Sequence, residues 1–167
     1  MSELIEEVKI WNTPAVGAFL LYWFTKGFVS AHQEGAAPNA LNHFIAGAIL
    51  TNDKLKAPIS NMRNDLQSYV RSFEDHKNSD LLLDIQQRVK AKLSYTWAAI
   101  DIAVSTGLLF WEPDEASLYV RSGEELLKRG NAPKPDLKRD GEKAEILGRW
   151  FAEHDISTVC TYLKIVL

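Results

Sequence analysis

Residues 11–28 read WNTPAVGAFLLYWFTKGF, a helix-opening signal running into a stretch that is apolar on every side. Thr13 before Pro14 opens the helix, because the Thr hydroxyl can accept a free backbone N–H and Pro sits in the first turn without losing a hydrogen bond. Val16, Phe19, Leu20, Leu21, Tyr22, Trp23 and Phe24 then cover the whole 3.6-residue wheel instead of one stripe. Such a helix must be covered all round, by neighbouring helices or by a partner protein. The apolar run Pro14–Phe24 is 11 residues long. That is short of the roughly 18–20 residues a membrane span needs, and Lys26 interrupts it.

The rest of the chain has globular composition: 167 residues, 46% hydrophobic and 25% charged, enough for one compact domain with a real core. The opening MSELIEEVK is acidic where a secretory leader has a basic region, so a cytoplasmic protein with no membrane association is expected. The single Cys160 permits no internal disulfide and offers no metal-ligand spacing. A net charge of −3 gives no general attraction to phosphate backbones.

Outward from the first helix, which is read as Trp11 to about His32, punctuation divides the chain. Gly35 to Pro38 ends that helix, and Asn39 caps a second one carrying Phe44, Ile45, Ile49 and Leu50, expected to pack antiparallel to the first. Gly17, Gly27 and Gly47 inside these helices favour close helix contacts. After the break at Pro58, Ser60 opens an amphipathic segment with Met62, Leu66, Tyr69, Val70 and Phe73 on its apolar face. Ser79 reads as the cap of a helix bearing Leu82, Ile85 and Val89, and an apolar helix over Tyr95–Thr106 stops at Gly107.

Two β-prone runs, 108–111 and 117–120, then flank a Pro113-Asp114 turn. Helices followed by a hairpin is the order of a winged helix. Ser122 to Asp140 reads as an exposed charged connection with at most a short helix near Glu124–Lys128, and closing helices are expected over Glu142–His154 and Ser157–Lys164. The fold class is thus mainly α with a small β-hairpin, a helical bundle with a winged-helix-like lobe. Its parts are an N-terminal strand and helix pair (1–58), the winged-helix-like lobe (59–122), the charged connection (123–140) and C-terminal helices packing back on the body (141–167).

Chemistry is sparse. His32, His43, His76 and His154 are scattered without metal-ligand spacing and read as surface or capping residues, and Cys160 reads as a small hydrophobe on an apolar helix. No nucleophile elbow, phosphate loop or dinucleotide fingerprint occurs, so no catalytic, cofactor or metal site is assigned. Asp80 and Asp84 read as charges favouring a helix N-terminus. Asp101 stands alone in an apolar helix and calls for exposure, an ion pair with a residue such as Arg149, or a partner. Helix 95–106 has no Lys or Arg and is a poor groove reader. Arg88, Lys90, Lys92, Lys138 and Arg139, with Lys128, Arg129 and Lys134 nearby in sequence, are candidate phosphate contacts or simply a solvated charged face. The apolar surplus of the first helix and the closing Gly148-Arg149-Trp150-Phe151 mark Phe19, Trp23, Phe24, Phe28, Gly148, Trp150 and Phe151 as partner-interface candidates.

Three blocks carry a family resemblance: Asn12-Thr13-Pro14-Ala15-Val16-Gly17-Ala18-Phe19-Leu20 continuing to Phe24 and Gly27, the helix leading into Gly107-Leu108-Leu109 and the hairpin, and Leu147-Gly148-Arg149-Trp150-Phe151-Ala152. In these the chain resembles the middle component of bacterial three-component ABC-ATPase (ABC-3C) conflict systems, the group that includes the small subunit of Lamassu-type defence complexes. Here Thr13 separates Asn12 from Pro14, where the family block often begins Asn-Pro. The resemblance implies a non-enzymatic adapter without cofactors, set between an SMC-like or Rad50-like ABC ATPase and an effector, often a nuclease, in antiphage or antiplasmid immunity. DNA would be met only through the complex. The other classes to be weighed are a stand-alone winged-helix transcription regulator and a small enzyme.

Overall fold

The computed structural model describes residues 13–62, 65–75, 77–121 and 134–166. The first helix, α1, spans Pro14–Ala31 with Pro at its start. The Thr13 hydroxyl makes no capping bond; the Thr13 carbonyl instead accepts from the N–H groups of Val16 and Gly17. α2 (Ala40–Leu50) is capped as expected, with Asn39 Oδ1 accepting from Asn42 N–H at 3.0 Å. It runs antiparallel to α1: His43 meets Thr25, whereas Gly47, Leu50 and Thr51 share one small cavity with Gly17, Leu20 and Leu21.

Asn52 caps the short α3 (Asp53–Lys56), which ends before Pro58. α4 (Leu66–Asp75) buries Leu66, Tyr69, Val70 and Phe73, but Met62 is 94% exposed. The helix begins later than Ser60 because Asp65 takes the Ser68 N–H and supplies the cap. The helix expected from Ser79 is two pieces, α5 (Ser79–Leu83) and α6 (Ile85–Ala91), with Asn78 rather than Ser79 at the cap position and Asp84 at the break. α7 (Leu93–Ser105) follows, and Gly107 at φ 79° supplies the left-handed residue that ends it.

Strands β1 (Leu109–Glu112) and β2 (Ser117–Val120) form the antiparallel hairpin, with Phe110 opposite Tyr119 and Trp111 opposite Leu118. The outer edge of β2 is stitched to the entrance of α2: Leu118 N–H donates to Pro38 O at 3.1 Å and Ala40 N–H to Ala116 O at 2.8 Å. Such pairing leaves less of β2's edge unsatisfied.

The closing helix α8 spans Pro135–Ala152 and α9 spans Ile156–Tyr162, capped by Asp155 through Thr158 N–H at 2.7 Å. α8 therefore starts at Pro135 and not at Glu142, so Lys138 and Arg139 are helical instead of belonging to a connection. The short helix expected near 124–128 lies outside the described residues. This longer α8 lies along α1 in the same direction, with Gly141 against Phe19 and Trp23 and Gly148 against Phe24 and Phe28. With α2 and α7 on its other sides, α1 is the centre of the molecule, which is why its sequence is apolar all round.

Candidate interaction surface

The aromatic residues of α1 and α8 divide by depth. Phe24, Phe28, Trp150 and Phe151 are buried within this chain: Phe24 and Phe151 meet edge to face at 5.4 Å, and Trp150 lies 5.7 Å from Tyr69, whose hydroxyl donates to Leu55 O. Gly148 faces the Phe24 carbonyl at the point where the two backbones touch. These five residues, read from sequence as partner-interface candidates, find cover within this chain, from α1, α8 and, for Trp150, Tyr69 of α4. Phe19 and Trp23 are only partly buried; they flank Gly141, and Lys26 Nζ stands 4.8 Å from the centre of the Trp23 ring.

Three of the basic candidates have local work, and Lys128 and Arg129 lie outside the described residues. Arg88 Nε donates to Ala48 O near the C-terminal end of α2, at 3.4 Å, placing positive charge where the helix dipole favours it. Lys92 Nζ lies 4.9 Å from the centre of the Tyr95 ring, and Arg139 pairs with Asp136 at 2.9 Å. Lys90 and Lys138 are exposed.

Two lysines that the sequence reading passed over are structural. Lys56 Nζ and Asp140 form a 2.7 Å ion pair in which both side chains are largely buried. One turn along α8, the Lys143 ammonium donates to the carbonyls of Lys56, Ala57 and Ile59 at 3.4, 3.1 and 2.6 Å. Burial lowers the Lys143 pKa, opposed by the nearby Asp140 charge. The Asp140–Lys143 spacing on one helix was the available signal, but the carbonyls it serves come from a distant segment.

His43 corrects its surface or capping reading, being wholly buried. Its Nδ1–H donates to Asn39 O at 2.9 Å, while Nε2 lies 2.8 Å from the Thr25 hydroxyl. Burial pushes its pKa from 6.5 down to about 4, against a smaller upward effect of the Asn39 carbonyl. His32 does cap: its Nδ1 accepts from the N–H groups of Glu34 and Ala36. His76 lies outside the described residues. Cys160 is buried, which raises its thiol pKa. Among the described residues no group of three His, Cys, Asp or Glu could hold a metal ion, and no helix is long and apolar enough to cross a membrane.

Among the described residues, α7 carries an open apolar flank. Thr96, Ala99, Ile100 and Ala103 face inward. Leu93 and Trp97, one turn apart, remain 42% and 51% exposed. Phe44 of α2 holds the Trp97 ring edge to face at 4.9 Å. Asp101, one further turn along, is exposed and is the only charged residue of α7. On the hairpin, Phe110 is 46% exposed. The helix read from sequence over Tyr95–Thr106 took in Trp97 and Asp101, whereas Leu93 joins them because α7 starts two residues earlier, and the packing of α7 shows which flank is left uncovered.

The described residues thus form a helical body around one central helix, with a small hairpin stitched to it and an aromatic flank open to solvent. The chain belongs to the family ABC-three component (ABC-3C) system Middle Component 3, whose family model matches residues 1–167. It is thus the middle component of a three-component system. No curated protein and no solved structure matches the chain.

Proposed function

We propose that this middle component is a non-catalytic adapter. It joins an SMC-like or Rad50-like ABC ATPase to an effector such as a nuclease, within a cytoplasmic complex acting against phage or plasmid DNA, as in the kindred Lamassu-type systems. The observation that carries this reading is membership of the middle-component family along residues 1–167. The open flank of α7 supports it: apolar side chains and one carboxylate suit a protein surface better than a phosphate backbone. Coupling requires that the adapter bind two states of the complex with different free energies, because equal binding shifts nothing.

Co-expression with the two companion components, followed by size exclusion, tests the reading. Stoichiometric co-elution is expected, together with weak duplex-DNA binding by the isolated chain at physiological salt. A chain that runs alone in the presence of both companions, or that binds a specific DNA sequence at nanomolar concentration by itself, overturns the adapter and favours a stand-alone regulator.

A further inference from the structure

We infer that the Leu93–Trp97–Asp101 flank of α7 is a docking face for a basic amphipathic segment of a partner protein, in which an Arg or Lys lies over Trp97 and pairs with Asp101 while an aliphatic neighbour covers Leu93. The inference rests on the adapter reading for where such a segment is found, and on the structure for its chemistry. The three side chains follow one another by single turns on one helix, so they form one contiguous strip. Leu93 and Trp97 are 42% and 51% exposed, large apolar groups of which Trp97 rests on the edge of a hydrophobic cluster through Phe44. An isolated exposed hydrophobe is ordinary, whereas Leu93 and Trp97 are adjacent and form a contiguous apolar strip with a carboxylate at its end.

Phe44 packs against the Trp97 ring at 4.9 Å and 70°, limiting its freedom before any partner arrives. Little ordering is then left to be done on binding. Tryptophan is the best aromatic acceptor for a cation and, with Tyr and Arg, is enriched among interface anchors. Asp101 decides the sign of the partner. As the sole charge on α7 it has no basic residue on its own helix, and no ion pair joins it to another described residue. An indole with a carboxylate one turn away fits a guanidinium or ammonium and repels an acidic side chain. A bound guanidinium can stack on the ring and still donate to the carboxylate, which a neutral apolar segment cannot do.

Two probe peptides separate this inference from the adapter reading. Each carries Leu and, four residues later, either Arg or Glu in an alanine background, and each is titrated into the full chain labelled with ¹⁵N while the Trp97 indole N–H and the Asp101 amide are followed. The Arg peptide is expected to move both signals at concentrations about tenfold below those the Glu peptide needs. Asp101→Arg should reverse that preference at the Trp97 indole N–H, and Trp97→Ala should abolish the response of the Asp101 amide, with each variant melting as wild type to show that its fold is intact. Equal responses to the two peptides, or signals that stay still with both, overturn the inference. In parallel, the Asp101→Arg chain is co-expressed with both companions. Co-elution of wild type and variant alike overturns the docking face and leaves the adapter standing, whereas a wild type that fails to co-elute overturns the adapter while the peptide titration still decides the chemistry.

Discussion

Replacing Gly148 by Ala probes the contact on which the packing of α1 and α8 depends. A Cβ at Gly148 would run into the Phe24 carbonyl oxygen and stand 2.9 Å from Phe28 N; a Cβ at Gly27 would run into the Glu145 carbonyl oxygen. Carbon makes favourable contacts at about 3.5–4.0 Å, so these backbones must separate by roughly 1 Å to admit one methyl group. The obstacles are backbone atoms within helices and cannot rotate aside. A radial gap of that size forfeits a quarter to a half of each dispersion contact, and here the buried Phe24, Phe28, Leu147 and Phe151 line the affected region. Overpacking costs about 1–3 kcal/mol, and the rigidity of the obstacle puts Gly148→Ala at or above the top of that range.

Against this, Ala is favoured over Gly inside a helix by about 1 kcal/mol. The expected net loss is about 2–3 kcal/mol, a fall in Tm of about 5–10 °C for a domain of this size. Gly141→Ala is the control, because its Cβ would meet only the rings of Trp23 and Phe19, at 3.0 and 3.1 Å, which can yield. Calorimetry and urea unfolding measure both variants. The double variant Gly27→Ala/Gly148→Ala should lose less than the sum of its singles, since one separation of the helices relieves both clashes. An unchanged or raised Tm for Gly148→Ala would refute direct backbone contact between these helices.

Two further outcomes follow from buried polar groups. His43 has its pKa lowered from 6.5 to about 4 in the folded protein, so between those values the unfolded chain binds more protons. Stability should be full above pH 6.5 and decline as pH falls towards 4 by about 3 kcal/mol from this site, and a His43→Gln variant in urea titrations should lose that part of the slope. Lys143→Met should cost about 1–3 kcal/mol in the same assay by leaving the carbonyls of Lys56, Ala57 and Ile59 without their shared donor. An unaltered midpoint would show that water serves those carbonyls equally well.

Features governed by neighbours in the chain were legible from the sequence. The Pro14 start, the Asn39 cap, the stop at Gly107 and the two strands around Pro113-Asp114 depend on backbone geometry and hydrogen bonds within a few residues, and each stands where its local signal put it. The apolar circumference of α1 likewise stated that it had to be covered, since an exposed helix of that kind is too costly. What covers it was a tertiary matter. Neighbouring helices and an external partner satisfy the same hydrophobic requirement, and only the seating of α8 against Gly27 and Gly148 placed Phe24, Phe28, Trp150 and Phe151 inside.

The start of α8 at Pro135 was hidden for a related reason. Its first turns, PDLKRD, are polar and charged, and much of their support comes from Asp140 reaching Lys56 across the fold. His43 could not be placed from its scattered spacing because its partners, Thr25 and Asn39, converge only when α1 and α2 lie side by side. The exposed pair Leu93 and Trp97 shows the converse. Trp97 lay inside the helix read over Tyr95–Thr106 and Leu93 just before it, but whether a flank faces core or solvent is set by which other elements reach it, and that information is held by the packing of the whole chain.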